Sequence, residues 1–191
     1  MNGNHSPSLA ARLRAHLARI KADDRAIKEE GLDALTDEEH PCQILADIFT
    51  FQEKQGSIRG KIVTFVGDGA CNVPASWIFA AAKIGFELRI AAPKAFQPPL
   101  ALLERAGFTH VHAQPSPTGE IIQGTVPTSG GRIVLTADLP AAATRADLLY
   151  TDVWVSMGKE AEAAERLKVL GGYQINAELV KLAKPHALVM H

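Results

Sequence analysis

Short apolar runs alternate with stretches of helical periodicity from residue 41 to the last residue, and this alternation constrains the fold more than any other feature of the sequence. Residues 61–66, 87–92, 110–113, 132–136, 148–151 and 187–190 read as strands. Residues 41–55, 74–85, 99–106, 139–146, 159–170 and 176–183 read as helices. Strands that alternate with helices imply crossover connections and a mostly parallel sheet. Several of the runs are apolar throughout, as strands covered on both faces must be. Residues 114–131, rich in proline, glycine, serine and threonine, fit a loop or hairpin at one edge. Ahead of this pattern, residues 8–30 form a separate helical stretch in which Leu9, Leu13, Leu17 and Ile20 make one narrow apolar stripe. So narrow a stripe suits a strap packed on another surface, and Leu13 and Leu17 are expected to make that contact. Acidic residues on the same helix and the lack of a large aromatic anchor argue against a membrane-surface role.

Composition excludes several classes of partner. The chain has 191 residues, 47% apolar and 21% charged, with a formal net charge of -1. That balance is globular, and it gives no electrostatic reason to bind nucleic acid or an acidic membrane. No apolar run approaches the ~18 residues of a membrane span. Two cysteines without CxxC spacing, and no secretory signal, point to a reduced cytoplasmic protein. Cys42 is expected to pack inside its helix. His110 and His112 have the spacing of two metal ligands on one strand face, but no third ligand stands nearby, so no metal is expected.

Ligands of open parallel sheets bind beyond the carboxyl ends of the strands. That rule selects residues 67–72, residues 152–158 and the terminal His191. Gly67-Asp68-Gly69-Ala70-Cys71-Asn72 links a strand to a helix, yet it fails as a dinucleotide fingerprint. Asn72 stands at the third glycine position, and the next strand ends in Ala91-Ala92-Pro93-Lys94 with no acid for a ribose. Asn72 either caps the helix or presents its amide to a small polar ligand. Asp152, at the end of the 148–151 strand, can neutralise an amine, and the turn around Ser156-Met157-Gly158 can receive a carboxylate on backbone N–H groups. The two together suit an α-amino acid, unless Asp152 and Ser156 only cap the turn. In His40-Pro41-Cys42-Gln43, Pro41 suits the first helical position and makes His40 the cap. Thr36 with Glu39 offers a competing capping box one turn earlier. His40 and Gln43 are either structural or placed to polarise a carbonyl at a helix start.

Taken together, these segments resemble ornithine carbamoyltransferases. Leu35-Thr36-Asp37 with His40-Pro41-Cys42-Gln43 is similar to the carbamoyl-recognition segment. Gly67-Asp68-Gly69 with Asn72 and Ser76 is similar to the ornithine-binding turn, and Asp152 with Ser156-Met157-Gly158 to the amino-acid signature. Ile44-Leu45-Ala46-Asp47, Gly172-Tyr173-Gln174-Ile175-Asn176-Ala177-Glu178-Leu179 and Ala183-Lys184-Pro185 agree as flanks. The resemblance runs from Leu32 to His191 and implies an α/β, Rossmann-like parallel sheet flanked by helices, with residues 1–31 an unmatched helix. It implies that Asn72, Asp152, Ser156 and Met157 hold the α-amino and α-carboxylate groups of ornithine, with Ser76 and His191 nearby. It implies that His40 and Gln43 bind the carbamoyl group of carbamoyl phosphate, with no metal or organic cofactor. The sequence departs from the family in three ways. It carries no Ser-Thr-Arg-Thr-Arg phosphate-binding segment, it has Asp33 where asparagine is usual, and it stops at His191 where the family continues His-Cys-Leu-Pro. These departures lead to the expectation of a truncated amino-acid-binding half. Three readings stay open: an inert fragment, a transferase completed by a second chain or by homo-oligomer formation, and a non-catalytic amino-acid-binding or regulatory module.

Overall fold

The computed structural model describes residues 39–155 and 163–191, all within a compact unit that runs from Leu35 to His191. The expected 8–30 helix, Thr36, and the Ser156-Met157-Gly158 turn lie outside the described residues.

The elements, in chain order, are α1 (Pro41–Gln55), β1 (Ile62–Val66), α2 (Asn72–Ile84), β2 (Glu87–Ala91), a single 3₁₀ turn (Lys94–Phe96) and α3 (Leu100–Arg105). They continue with β3 (Thr109–Ser116), β4 (Gly119–Val126), β5 (Gly131–Thr136), α4 (Leu139–Ala143), β6 (Leu148–Thr151), α5 (Ala163–Leu170), α6 (Ala177–Leu182) and β7 (Leu188–Met190). The seven strands lie in the order β3-β4-β5-β2-β1-β6-β7. From β5 to β7 every pairing is parallel. The sheet is mostly parallel, as expected, and departs from that at the other edge, where β3, β4 and β5 are antiparallel neighbours and β3–β4 form the hairpin that the sequence offered there. Only Pro117 and Thr118 separate β3 from β4, and residues 127–130 separate β4 from β5. A parallel return needs a crossover of a dozen residues or more, so these links allow only hairpins. Pro115 is tolerated in β3 because that strand is the edge.

The pleat sorts the core into two layers. Val63 and Phe65 of β1, Leu88 and Ile90 of β2, and Leu148 and Tyr150 of β6 face α1, α2 and α3, where Ile44, Phe51, Trp77, Ile78 and Leu103 close the layer. The alternate positions Val66, Ala91 and Leu149 face Ala142, Ala143, Ala146 and Leu179 around α4 and α6. The contribution of α4 and the residues after it to the second layer is alanine, so α4 sits close enough for the buried Thr64 hydroxyl to donate to Ala142 O at 2.7 Å. Helix α4 ends at Ala143, short of the expected 146, where Thr144 leaves the helical region (ψ 121°) and Arg145 then turns left-handed (φ 61°). Cys42, expected to pack inward, is exposed. It lies on the outer face of α1, whose Ile44, Ile48 and Phe51 take the buried positions. No helix among the described residues is long and apolar enough to cross a membrane.

Candidate functional site

Strand order decides where a ligand can go. From β1 the chain moves to β2 on one side and later returns to place β6 on the other, so β1 and β6 flank a topological switch point. Crevices form outside the carboxyl ends of strands at such a point. The register Val66↔Thr151 brings the two strand ends level. Residues 67–72 and Asp152 emerge there side by side, and His191 follows β7, whose last pair is Tyr150↔Met190.

The β1–α2 turn is held from several directions. Gly67 has φ 127°, a region that suits glycine, and a Cβ there would stand 3.4 Å from Trp154 Nε1. At Gly69 a Cβ would lie 2.6 Å from Ile90 Cγ2 and 2.9 Å from Phe96 O, so no side chain fits. Asp68, 4% exposed, accepts from Ala70 N at 3.0 Å through Oδ1, while Oδ2 takes Arg166 Nη2 of α5. Cys71, not Asn72, is the N-cap, and Asn72 is the first residue of α2. The Cys71 thiol is pushed up from 9.0 to about 12, first by burial and then by the charges of Asp68 and Asp152. Asp152 therefore stands close enough to the α2 start to act on it electrostatically. Asp152 itself is half-buried, and no described residue hydrogen-bonds to its carboxylate.

Helix α1 brings the second group of residues to the same region. His40 is the N-cap of α1, with Pro41 next, but its side chain makes no capping bond. Its backbone N–H donates to Ser76 Oγ at 2.6 Å, and the Ser76 hydroxyl donates to Asn72 O at 3.1 Å. Ser76 thus ties the start of α1 to the first turn of α2, and His40 and Asn72 share that link. His40 Nδ1 is buried without a hydrogen-bond partner among the described residues. Gln43 donates through Nε2 to Asp47 Oδ1 at 3.1 Å, and Tyr150 OH donates to Asp47 Oδ2 at 2.7 Å. The NH₂ end of Gln43 thus faces Asp47, which leaves its carbonyl oxygen for another donor. Burial, and then the bond to Asp47, raises the Tyr150 phenol well above its ordinary range and keeps it a donor.

The structure therefore gathers His40, Gln43, Asn72, Ser76 and Asp152 around the β1–β6 carboxyl ends. Ser156 and Met157 lie outside the described residues. Four residues at the site were not foreseen as contributors: Asp47, Asp68, Tyr150 and Arg166. The i, i+4 spacing from Gln43 to Asp47 was a readable signal. Nothing local in the sequence marks Tyr150 or Arg166. His110 and His112 are exposed and take no part, and a register shift between Thr109 and His112 interrupts the alternation there. No group of three or more metal-ligating side chains exists among the described residues.

A doubly wound sheet with polar and acidic side chains at its switch point places the described domain in the α/β class. Comparison with known proteins narrows the class. The family model for aspartate/ornithine carbamoyltransferase, Asp/Orn binding domain, matches residues 59–191, and the chain belongs to this family. It is 41% identical over 160 residues to an ornithine carbamoyltransferase of Symbiobacterium thermophilum, covering 84% of this chain and 46% of that protein. A Methanosarcina mazei ornithine carbamoyltransferase is 37% identical over 190 residues, covering 96% of this chain and 56% of its own length, so that alignment extends into the residues ahead of Leu32. The solved ornithine carbamoyltransferase of Pyrococcus furiosus superposes with a TM-score of 0.68 at 39% identity, over 83% of this chain and 45% of that one. The chain spans about half the length of the curated relatives it matches.

Proposed function

We propose that this chain carries the amino-acid-binding side of an ornithine carbamoyltransferase site, for transfer of a carbamoyl group from carbamoyl phosphate to the δ-amine of ornithine. The observation that supports the reading is that Asp152 and the turn leading to Asn72 leave the carboxyl ends of adjacent parallel strands, whose last pair is Val66↔Thr151. There the Asp152 carboxylate accepts the α-ammonium group of the substrate, and the Asn72 amide and the turn at Ser156-Met157 receive its α-carboxylate. Fixing the α-carbon this way directs the side chain, and so the δ-amine, toward the α1 start. His40 and Gln43 bind the carbamoyl group on that side. Gln43 turns its carbonyl oxygen outward and accepts from the carbamoyl NH₂, while His40 polarises the carbonyl oxygen. The δ-amine attacks the carbamoyl carbon, the C–O bond to phosphate breaks, the amine proton is lost and citrulline forms. The work is positioning and stabilisation of a developing oxyanion, which needs no cofactor. The phosphate is bound by a domain from elsewhere in a longer polypeptide or from a complementing chain. A cytoplasmic setting agrees with the two free cysteines.

The test is a chemical-shift titration of the labelled chain with ornithine, putrescine and aspartate. Binding is expected in the millimolar range, about -4 kcal/mol, because exposed charge pairs contribute only about 0–1 kcal/mol each. Ornithine should exceed putrescine, which lacks the α-carboxylate, and Asp152→Asn should weaken it. The 191-residue polypeptide alone should form no citrulline. Equal responses to all three ligands, or none near Asp152, would remove the reading and favour a domain that retains only the family's fold.

A further inference from the structure

We infer that Arg166 is a positioning residue of the amino-acid pocket, whose buried guanidinium holds Asp152 in place at the carboxyl end of β6. The inference rests on the site proposed above but on separate observations. Arg166 lies on α5, outside the motif segments, and is only 5% exposed. Its guanidinium meets three segments that leave three different strands. Nη2 pairs with Asp68 Oδ2 in the turn after β1. Nε donates to Trp154 O, in the loop after β6, at 2.6 Å. The planar group also lies 5.0 Å over the Phe96 ring, in the turn after β2.

This arrangement encloses Asp152 between two tethers. On its N-terminal side, Thr151 Oγ1 donates to Val66 O, the last residue of β1, at 2.8 Å. On its C-terminal side, Arg166 holds the Trp154 carbonyl, and the Trp154 indole lies against Gly67. The carboxylate that Arg166 grips is the same one that organises the approach to Asn72, through Ala70 N–H. One guanidinium thus couples the two walls of the pocket.

A purely structural role would not require this chemistry. Two charges buried together lose most of their hydration, and apolar side chains of similar volume often stabilise a fold as well or better. Apolar contacts, however, carry no direction. A guanidinium donates in its own plane from a rigid fork, so the Trp154 carbonyl and the Asp68 carboxylate acquire a fixed separation and angle. A lysine keeps the charge but offers a single flexible donor centre, and cannot hold both partners in one plane.

The experiment compares the 191-residue chain with Arg166→Lys, by hydrogen exchange and by ornithine and putrescine titration. In Arg166→Lys the amides of Ala70 and of residues 152–155 should exchange about tenfold faster or more, while the β1, β2 and β5 amides keep their protection. The ornithine dissociation constant should rise about tenfold, and the ornithine-over-putrescine preference should shrink, since the α-carbon is no longer fixed. Should Arg166→Lys fail to fold, Phe96→Leu loosens the same guanidinium without unpairing a charge, and the same two segments should respond. A lower melting temperature with unchanged ornithine affinity and selectivity would overturn the inference and leave only a structural ion pair. Unchanged exchange at both segments would overturn it as well. If the unsubstituted chain binds no ornithine, the proposed function fails, and the exchange comparison still decides whether Arg166 couples the two walls.

Discussion

Tyr150→Phe removes a single oxygen from the centre of the molecule and leaves the ring in place. The ring packs edge-on to Trp77 at 5.3 Å and stacks near Phe65 at 6.0 Å, contacts that phenylalanine reproduces. What disappears is the 2.7 Å bond from the phenol to Asp47 Oδ2. Tyr150 is 2% exposed and Asp47 7%, so water does not readily replace the lost donor. A hydrogen bond to a charged group contributes about 1.5–3 kcal/mol, and the buried carboxylate keeps only its bond from Gln43 on the described side. The expected loss is about 2 kcal/mol, which for a domain of this size lowers Tm by about 4–8 °C. Urea denaturation followed by circular dichroism measures it, and a cycle with Asp47→Asn isolates the pair, with an expected coupling above about 1 kcal/mol. The effect should also reach the site. With one tether gone, the Asp47 carboxylate can rotate, and the Gln43 side-chain amide resonances should broaden or shift. A loss below about 0.5 kcal/mol, or strict additivity in the cycle, would refute the account of Asp47 as the carboxylate that joins α1 to β6.

Gly69→Ala should destabilise the domain by about 1–3 kcal/mol, because the new methyl group meets Ile90 and the fixed Phe96 carbonyl; an unchanged urea midpoint would contradict the packing described. At about pH 8 iodoacetamide should label the exposed Cys42 well before Cys71, whose thiol is held protonated, and equal labelling rates would count against the burial described. The raised Cys71 thiol also has a linkage consequence. The unfolded thiol ionises near 9.0 and the folded one near about 12, so its contribution is whole below about pH 9 and is lost as pH rises toward 12. Cys71→Ser should therefore soften the alkaline loss of stability, and an alkaline limb of identical slope would argue against it.

Local pattern sufficed wherever the deciding forces act within a few residues. Helix α1 starts and ends where periodicity and Pro41 place it, and β6 spans the residues that its apolar run marks. The sequence also carried the family motifs, because Asp152 and the turn that leads to Asn72 each follow a strand directly and strand ends are readable from hydrophobic runs. The failures are non-local. At the edge the sequence offered a loop or hairpin without choosing between them, and β4 was not named as a strand, since pairing depends on which neighbour a strand meets. The inward placement expected of Cys42 failed because periodicity alone does not say which face of α1 meets the sheet. Strand order, and with it the switch point between β1 and β6, depends on which crossovers pack together across the whole domain. Asp47 with Tyr150 and Asp68 with Arg166 lie far apart in sequence, and each pair is brought together only by that packing. Buried polar groups must find partners or be expelled, but the partner is any compatible group that tertiary packing brings within reach. Sequence therefore determined which side chains stand at the strand ends, and tertiary structure alone decided what holds them there.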